Sequence, residues 1–252
     1  MLRKRIIPTL LLKNNGLVKT QKFKDSKYVG DAINAVWFFN EKEVDEIIFL
    51  DISATINNKS PNFELIKDIS TEAFMPFSYG GGIKSINQIE KLIALGVEKV
   101  VLNSILQINP EIIEEAAKIF GSQSIVASID VKESFFGYKN IYYKSGKVKS
   151  KYKLFDFIKM VEDRGVGEII INSIDKDGMM TGYDIKLIKE VNSRVKVPLV
   201  AIGGGKDIND IRKVFDNVDI SGISAGSMFV FNGPHRAVLI SYPKYEEIFK
   251  NE

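Results

Sequence analysis

The sequence predicts an α/β fold, a single (β/α)8 barrel of the TIM type over residues 1–252, and three observations carry that reading. Short apolar runs alternate with helical patterns along the whole chain, the signature of βαβ units and a parallel sheet. Eight such runs fit within 252 residues, the size of one barrel. The segment Pro76-Phe-Ser-Tyr-Gly-Gly-Gly-Ile83 returns as Pro198-Leu-Val-Ala-Ile-Gly-Gly-Gly205, which divides the chain into half-barrels at about 1–120 and 121–252. A doubly wound sheet is the alternative, but four units followed by four similar ones close more naturally as two half-barrels.

In chain order, the apolar runs place strands at 5–12, 46–52, 77–79, 99–103, 124–130, 168–172, 199–202 and 220–225. Helical periodicity fills the spaces at 32–43, 86–95, 110–120, 154–164, 185–191 and 208–215. Residues 141–148 read as a small hairpin turning at Ser145-Gly146. Lysines cluster between Lys139 and Lys153 among Tyr138, Tyr142, Tyr143 and Tyr152, a pattern that can bind a polyanion but that a solvated hairpin explains more simply.

Each glycine turn follows a strand and precedes a helix. Glycines let the backbone come close to an anion, and a helix start offers unpaired N–H groups and a positive dipole end. The next strand in each half ends in small polar residues, Asn103 and Ser104 in the first and Gly226 and Ser227 in the second. Two such places predict a ligand with two phosphates.

Composition removes several chemistries. There is no cysteine, which excludes disulfides and thiolate catalysis, and the lone histidine, His235, excludes histidine metal clusters and a Ser-His-Asp triad. A net charge of +3 is too small to argue for nucleic acid. No apolar run approaches the roughly 18 residues of a membrane span, and the first residues lead into a strand rather than a signal sequence, so the expectation is a cytoplasmic protein with no membrane partner.

In barrels of this class chemistry sits at the C-terminal ends of the strands. Asp51 ends strand two, Asp130 ends strand five, and Asp175 and Asp177 lie just past strand six. Their spacing suits proton transfer or loop capping better than a metal site, and no metal or cofactor is expected. At the opposite end Arg5, Glu46, Lys99 and Glu168 each open a strand. Counting by two aligns Arg5 with Leu11, Lys99 with Asn103 and Glu168 with Asn172, so all four can face the axis and pair into a neutral plug. From spacing alone, four unrelated surface charges are an equal reading.

The motifs Phe49-Leu-Asp-Ile52, Gly80-Gly-Gly-Ile83, Phe120-Gly-Ser-Gln123, Ser128-Ile-Asp-Val-Lys132 and Ser173-Ile-Asp-Lys-Asp-Gly178 resemble the cyclase subunit of imidazole glycerol phosphate synthase, in register from residue 1 to about 231. The resemblance implies a glutaminase subunit docked on the N-terminal barrel face, with Glu98 and Gln123 at docking positions, although glutamate replaces the family's usual aspartate at the former. It implies an ammonia gate of Arg5, Glu46, Lys99 and Glu168. It also implies a phosphorylated small-molecule substrate held by Gly82, Asn103 and Ser104 at one end, and by Asp177, Gly178, Gly204, Gly205, Gly226 and Ser227 at the other. Lys19 matches a position in a mobile loop after strand one.

One departure matters more than the matches. The family closes its imidazole ring with two aspartates as acid and base; Asp130 keeps one, and the other falls on Leu11. Losing one general acid/base costs about 10²- to 10⁴-fold in rate. Thr9 and Asn172 depart as well. The resemblance therefore points to a paralogue that relays ammonia to an acetamido-to-acetamidino conversion on a surface-glycan sugar. The alternatives are the authentic cyclase of histidine biosynthesis and a non-catalytic phosphate-binding scaffold that activates a glutaminase.

Overall fold

A computed structural model describes residues 4–248; the readings made at residues 1–3 and 249–252 lie outside the described residues. Eight strands form the barrel: β1 (Arg5–Lys13), β2 (Ile47–Asp51), β3 (Phe77–Gly80), β4 (Lys99–Leu102), β5 (Ile125–Glu133), β6 (Glu168–Ser173), β7 (Leu199–Ile202) and β8 (Gly222–Ala225). Each runs parallel to the next, and β8 returns to β1 with Arg5 opposite Gly222 and Ile7 opposite Ser224, so the sheet closes as predicted. Closure leaves the barrel without an unpaired edge.

These strands form because they are apolar on both sides. In β1, Ile6 and Leu10 face the helices while Ile7 faces the axis, and the same alternation separates Ile47 and Phe49 from Ile48 in β2. Such two-sided burial produces continuous hydrophobic runs instead of a polar alternation. Ile7, Ile48, Val101, Val126, Ile170 and Val200 meet inside the barrel and make its bore apolar.

Around the barrel lie α1 (Ala32–Glu41), α2 (Phe63–Glu72), α3 (Ile86–Ala94), α4 (Ile112–Phe120), α5 (Leu154–Asp163), α6 (Ile185–Asn192) and α7 (Ile208–Asn217). Helix α1 stops before the predicted residue 43, because Glu43 takes a left-handed φ of 49° and Val44 N–H turns back to the Phe39 carbonyl. The sequence reading placed no helix at α2, whose apolar face is narrow, with Ile66 and Ile69 as its buried residues.

Two hairpins rise from the C-terminal end. The second, Lys139–Tyr143 with Val148–Lys153, extends β5 and turns through left-handed Lys144, Ser145 and Gly146, as the sequence predicts. The first is a correction. The segment after β1, read as a mobile loop, is an antiparallel arm of Gly16–Gln21 and Lys24–Gly30, paired to β1 through Leu11 and Val18. Val18, Lys19 and Thr20 are buried in it, and Lys22 N–H bonds the Asp177 carbonyl at 2.9 Å, so the arm folds back over the barrel mouth. Among the described residues no helix is long and apolar enough to cross a membrane.

Candidate active site

The strand ends and the arm enclose a cavity of about 490 Å³. It is lined by Lys19, Gly82, Asn103, Ser104, Asp130, Asp177, Gly178, Gly204, Gly205, Gly226 and Ser227, so every residue assigned to catalysis or substrate binding from the sequence reaches one space.

Asp130 lies on the inward row of β5 and is buried. Asn103 Nδ2, from the end of β4, donates to Asp130 Oδ2 at 3.1 Å and to the Ser128 carbonyl at 2.9 Å. Burial pushes the Asp130 carboxyl up to about 7, the hydrogen bonds from Asn103 and Asn172 oppose this, and the charge of Asp177 adds to it. A carboxyl titrating near neutrality can both take and return a proton at working pH.

The other carboxylates of the mouth are engaged. Asp177, raised by burial, accepts from Thr20 Oγ1 at 3.0 Å and from Phe23 N–H at 3.4 Å, which ties the arm to the loop after β6. Asp51 Oδ1 accepts from Ser53 N–H, Ser53 Oγ and Ala54 N–H at 2.8 to 2.9 Å and caps its own loop. Asp175 accepts from Glu133 N–H at 2.8 Å. Leu11 stands in the cavity wall.

Lys19 is buried on the arm, its Nζ donating to the Thr9 carbonyl at 2.5 Å. Burial lowers its ammonium to about 8, partly offset by Asp177. The ammonium rests where a β-carbon on Gly226 would stand. A cation is thus fixed at the turn between Gly226 and Ser227, as an anion site requires.

The two halves supply anion donors unequally. Gly82, with φ of 71°, crosses so close to the Lys59 carbonyl that a β-carbon would lie 2.7 Å from it. At the second turn, however, two of the first N–H groups of α7 are already taken: Asp207 Oδ1 accepts from Asn209 and Asp210. The expectation that this helix offers free donors is corrected for those two. Open turns lie instead after β4 and β8, where the short 3-10 helices Ser104–Gln107 and Ser227–Phe229 start without a side-chain cap.

At the far end of the bore the four strand-opening charges form a ring. Arg5 Nη1 and Nη2 lie 2.7 and 2.5 Å from Glu46 and Glu168, and Lys99 Nζ lies 3.0 and 3.5 Å from the same carboxylates. Ser78 Oγ donates to Glu46 at 2.7 Å. Side-chain exposure runs from 6 to 21 %. Burial disfavours the Arg5 charge, but Glu168 and Glu46 outweigh it and hold the guanidinium above its usual range. Two cations and two anions cancel, and the ring lies across the bore. Glu98 and Gln123 are exposed just ahead of β4 and β5, on this end of the barrel and away from the cavity.

Asn172 was noted in the sequence as a departure in register with Glu168 and given no role, yet it stands opposite Asp130 in the sheet and lines the cavity. Thr9 is hydrogen-bonded to Ser224, whose Oγ donates to the Ile7 carbonyl at 2.7 Å. A polar residue on the inward row of an apolar strand was the available signal for both.

Comparison with known proteins agrees with this geometry. The model of the histidine biosynthesis protein family matches residues 5–234. "Putative imidazole glycerol phosphate synthase subunit hisF2" of Pseudomonas aeruginosa is 48% identical over 98% of this chain and 99% of its own length. "Putative imidazole glycerol phosphate synthase subunit hisF3" of Vibrio vulnificus is 46% identical over 98% of this chain and 95% of its own. "Imidazole glycerol phosphate synthase subunit HisF" of Natranaerobius thermophilus is 38% identical over 92% of each. The chain belongs to the histidine biosynthesis protein family, among the HisF-type cyclase subunits of imidazole glycerol phosphate synthase.

Proposed function

We propose that this chain is the ammonia-relaying synthase subunit of a glutamine-dependent amidation, working with a glutaminase on its N-terminal face and serving the acetamido-to-acetamidino conversion of a surface-glycan sugar. The carrying observation is Leu11 in the cavity wall, combined with the engagement of the remaining carboxylates. Ring closure by an acid and a base needs a partner for Asp130. Asp51, Asp175 and Asp177 each already accept hydrogen bonds that build loops or hold the arm. The relatives whose names begin with "Putative", hisF2 and hisF3 among them, are 44 to 48% identical to this chain, and the HisF proteins named without that word are 37 to 40% identical.

In this reading the glutaminase docks over Glu98 and Gln123 and releases ammonia at the charged ring. Parting Arg5 or Lys99 from the carboxylates opens the bore. Its apolar lining favours neutral ammonia over ammonium, because a bare charge is costly among aliphatic side chains. Ammonia leaves beside Asp130, which exchanges a proton with it or with the acceptor. Lys19, Gly82, Asn103, Ser104, Gly178, Gly204, Gly205, Gly226 and Ser227 hold the phosphates of a ligand in the cavity, and Asp177 lines the substrate space beside them.

Two measurements test this. With ammonium salt and the bisphosphorylated imidazole precursor, the purified protein should give little or no cyclised product; robust cyclisation returns it to histidine biosynthesis. With its glutaminase and the sugar amidotransferase present, glutamine labelled with ¹⁵N at the amide should pass the label to the amidine nitrogen.

A further inference from the structure

Beyond Asp130, β5 runs on to Glu133 and turns through residues 134–138 into the second hairpin. Three aromatic side chains stand in water at that turn: Phe135 is 99 % exposed, Phe136 82 % and Tyr138 70 %. The two phenylalanine rings meet edge to face at 5.6 Å. The turn that carries them is fixed by its own hydrogen bonds. Ser134 N–H donates to the Tyr138 carbonyl at 2.9 Å, Gly137 N–H to the Ser134 carbonyl at 2.9 Å, and Tyr138 N–H to Ser134 Oγ at 3.0 Å. At its base Lys139 Nζ lies 2.5 Å from Glu133 and 3.7 Å from Asp184. The same hairpin is basic. Residues 131–153 hold seven lysines against Glu133 alone, a net +6 in a chain of +3, so the rest of the sequence carries −3. Lys132, Lys144, Lys147, Lys149, Lys151 and Lys153 are exposed.

Single exposed apolar residues are ordinary, but three aromatics within four residues on a rigid turn form a patch, and such patches mark contact sites. Rigid aromatic anchors lose little freedom on binding and dominate the energy of protein interfaces. The place of the turn selects the occupant. Strand β5 passes Asp130 by three residues, about 10 Å at the rise of a strand, so the turn stands above the mouth. The other end of the hairpin reaches the cavity, where Lys144 and Ser145 line it and Ser145 Oγ donates to the Ile52 carbonyl at 2.9 Å. Ammonia emerging here is lost to water unless a protein that uses it closes over the mouth. An anionic membrane also attracts lysines and aromatics, but it offers that ammonia no acceptor. A positive hairpin calls for a negative counterpart. We propose that the aromatic turn and the hairpin lysines form a docking surface at the C-terminal mouth for the ammonia-consuming enzyme, a protein with an apolar recess set in an acidic surface. This rests on the ammonia-relay reading and gives a role to the lysine and tyrosine stretch seen in the sequence.

The sugar amidotransferase of the reconstituted system is the probe. Its affinity for the chain in complex with the glutaminase, measured by biolayer interferometry, should fall about tenfold or more when Phe135→Ser and Phe136→Ser are combined, and it should weaken with added salt. Both side chains are exposed, so that variant keeps its fold; Lys149→Glu combined with Lys151→Glu gives an independent loss through charge. Amidation from glutamine should fall in both variants while hydrolysis of glutamine by the docked glutaminase is unchanged. No binding to the wild type, or an affinity unchanged in either variant, overturns the surface. So does a wild-type chain that leaves the amidotransferase unbound and instead floats with phosphatidylglycerol vesicles or dimerises through the turn. If label still passes from glutamine while the variants bind like the wild type, the docking surface alone falls. If the turn binds the amidotransferase and no label passes, the relay reading falls and the surface stands.

Discussion

Asn103 ties β4 to β5 through a single amide, its Nδ2 reaching both the Asp130 carboxylate at 3.1 Å and the Ser128 carbonyl at 2.9 Å. It therefore stabilises the charged form of a carboxylate that burial disfavours. Asn103→Leu should raise the Asp130 pKa above about 7 by about one unit, the worth of one such bond. Carboxyl ¹³C NMR titration of the variant against the wild type reads the shift directly, and an unchanged or lower pKa would mean that Asn103 does not set it.

The same carboxylate makes stability depend on pH. Its folded pKa, about 7, exceeds its ordinary value of 3.8, so the folded state holds the proton more tightly than the unfolded chain. Stability from this group is fully present below the ordinary value and declines as pH rises through the folded one, by at most about 4 kcal/mol. Asp177, raised for the same reason, pulls in the same direction. Asp130→Asn should remove most of the decline, and denaturant titrations across that window measure it. A variant with the wild-type pH slope would contradict the assignment.

Restoring a carboxylate at position 11 tests what its absence does. Leu11→Asp puts an acid back in the wall that Asp130 faces, and cyclisation of the bisphosphorylated precursor should rise by about 10²-fold or more. The expected cost is stability, since a half-buried apolar group becomes an ionisable one. Product formation with free ammonium is the assay, and no gain would show that more than Leu11 separates this chain from ring closure.

The charged ring predicts a split between two nitrogen sources. Lys99→Met leaves two buried carboxylates sharing Arg5 and should destabilise the fold by about 2–4 kcal/mol, below the full price of a fully buried pair because Lys99 is partly exposed. Amidation driven by glutamine should fall further than amidation driven by ammonium salt added to the cavity side. Equal losses in both assays would argue against a gate.

Gly226→Ala tests the anion site next to Lys19. A β-carbon there collides with the lysine ammonium, which must then leave the turn. Affinity for inorganic phosphate, measured by calorimetry, should drop about tenfold or more, the worth of one charge-assisted hydrogen bond. An unchanged affinity would place the phosphate elsewhere.

Much of this arrangement is written in local pattern. A parallel strand buried on both faces must be a short apolar run, so Ile6, Ile7, Ile47 and Ile48 announce β1 and β2; the alternation that brings Glu168 and Asn172 to one face needs only counting by two. What stayed hidden depends on contacts distant in sequence. Lys19 reads as a loop lysine until the arm is seen to be held by Asp177, 158 positions further on. The capping of α7 by Asp207 was visible in the sequence as an aspartate before a helix, but it was outweighed by the glycines ahead of it. The buried amide oxygen of Asn172, which has no hydrogen-bond partner, carries no local signal, because that depends on which neighbours fail to reach it.

The arm has one more implication. Asp130 owes its high proton affinity to burial, and the arm folds over the mouth of the cavity that holds it. Any movement that lifts Gly16–Gln21 away from the loop after β6 and so exposes Asp130 lowers that affinity, releasing a proton to solvent near neutral pH. Opening and closing are therefore acid–base events, and their heats will depend on the ionisation enthalpy of the buffer.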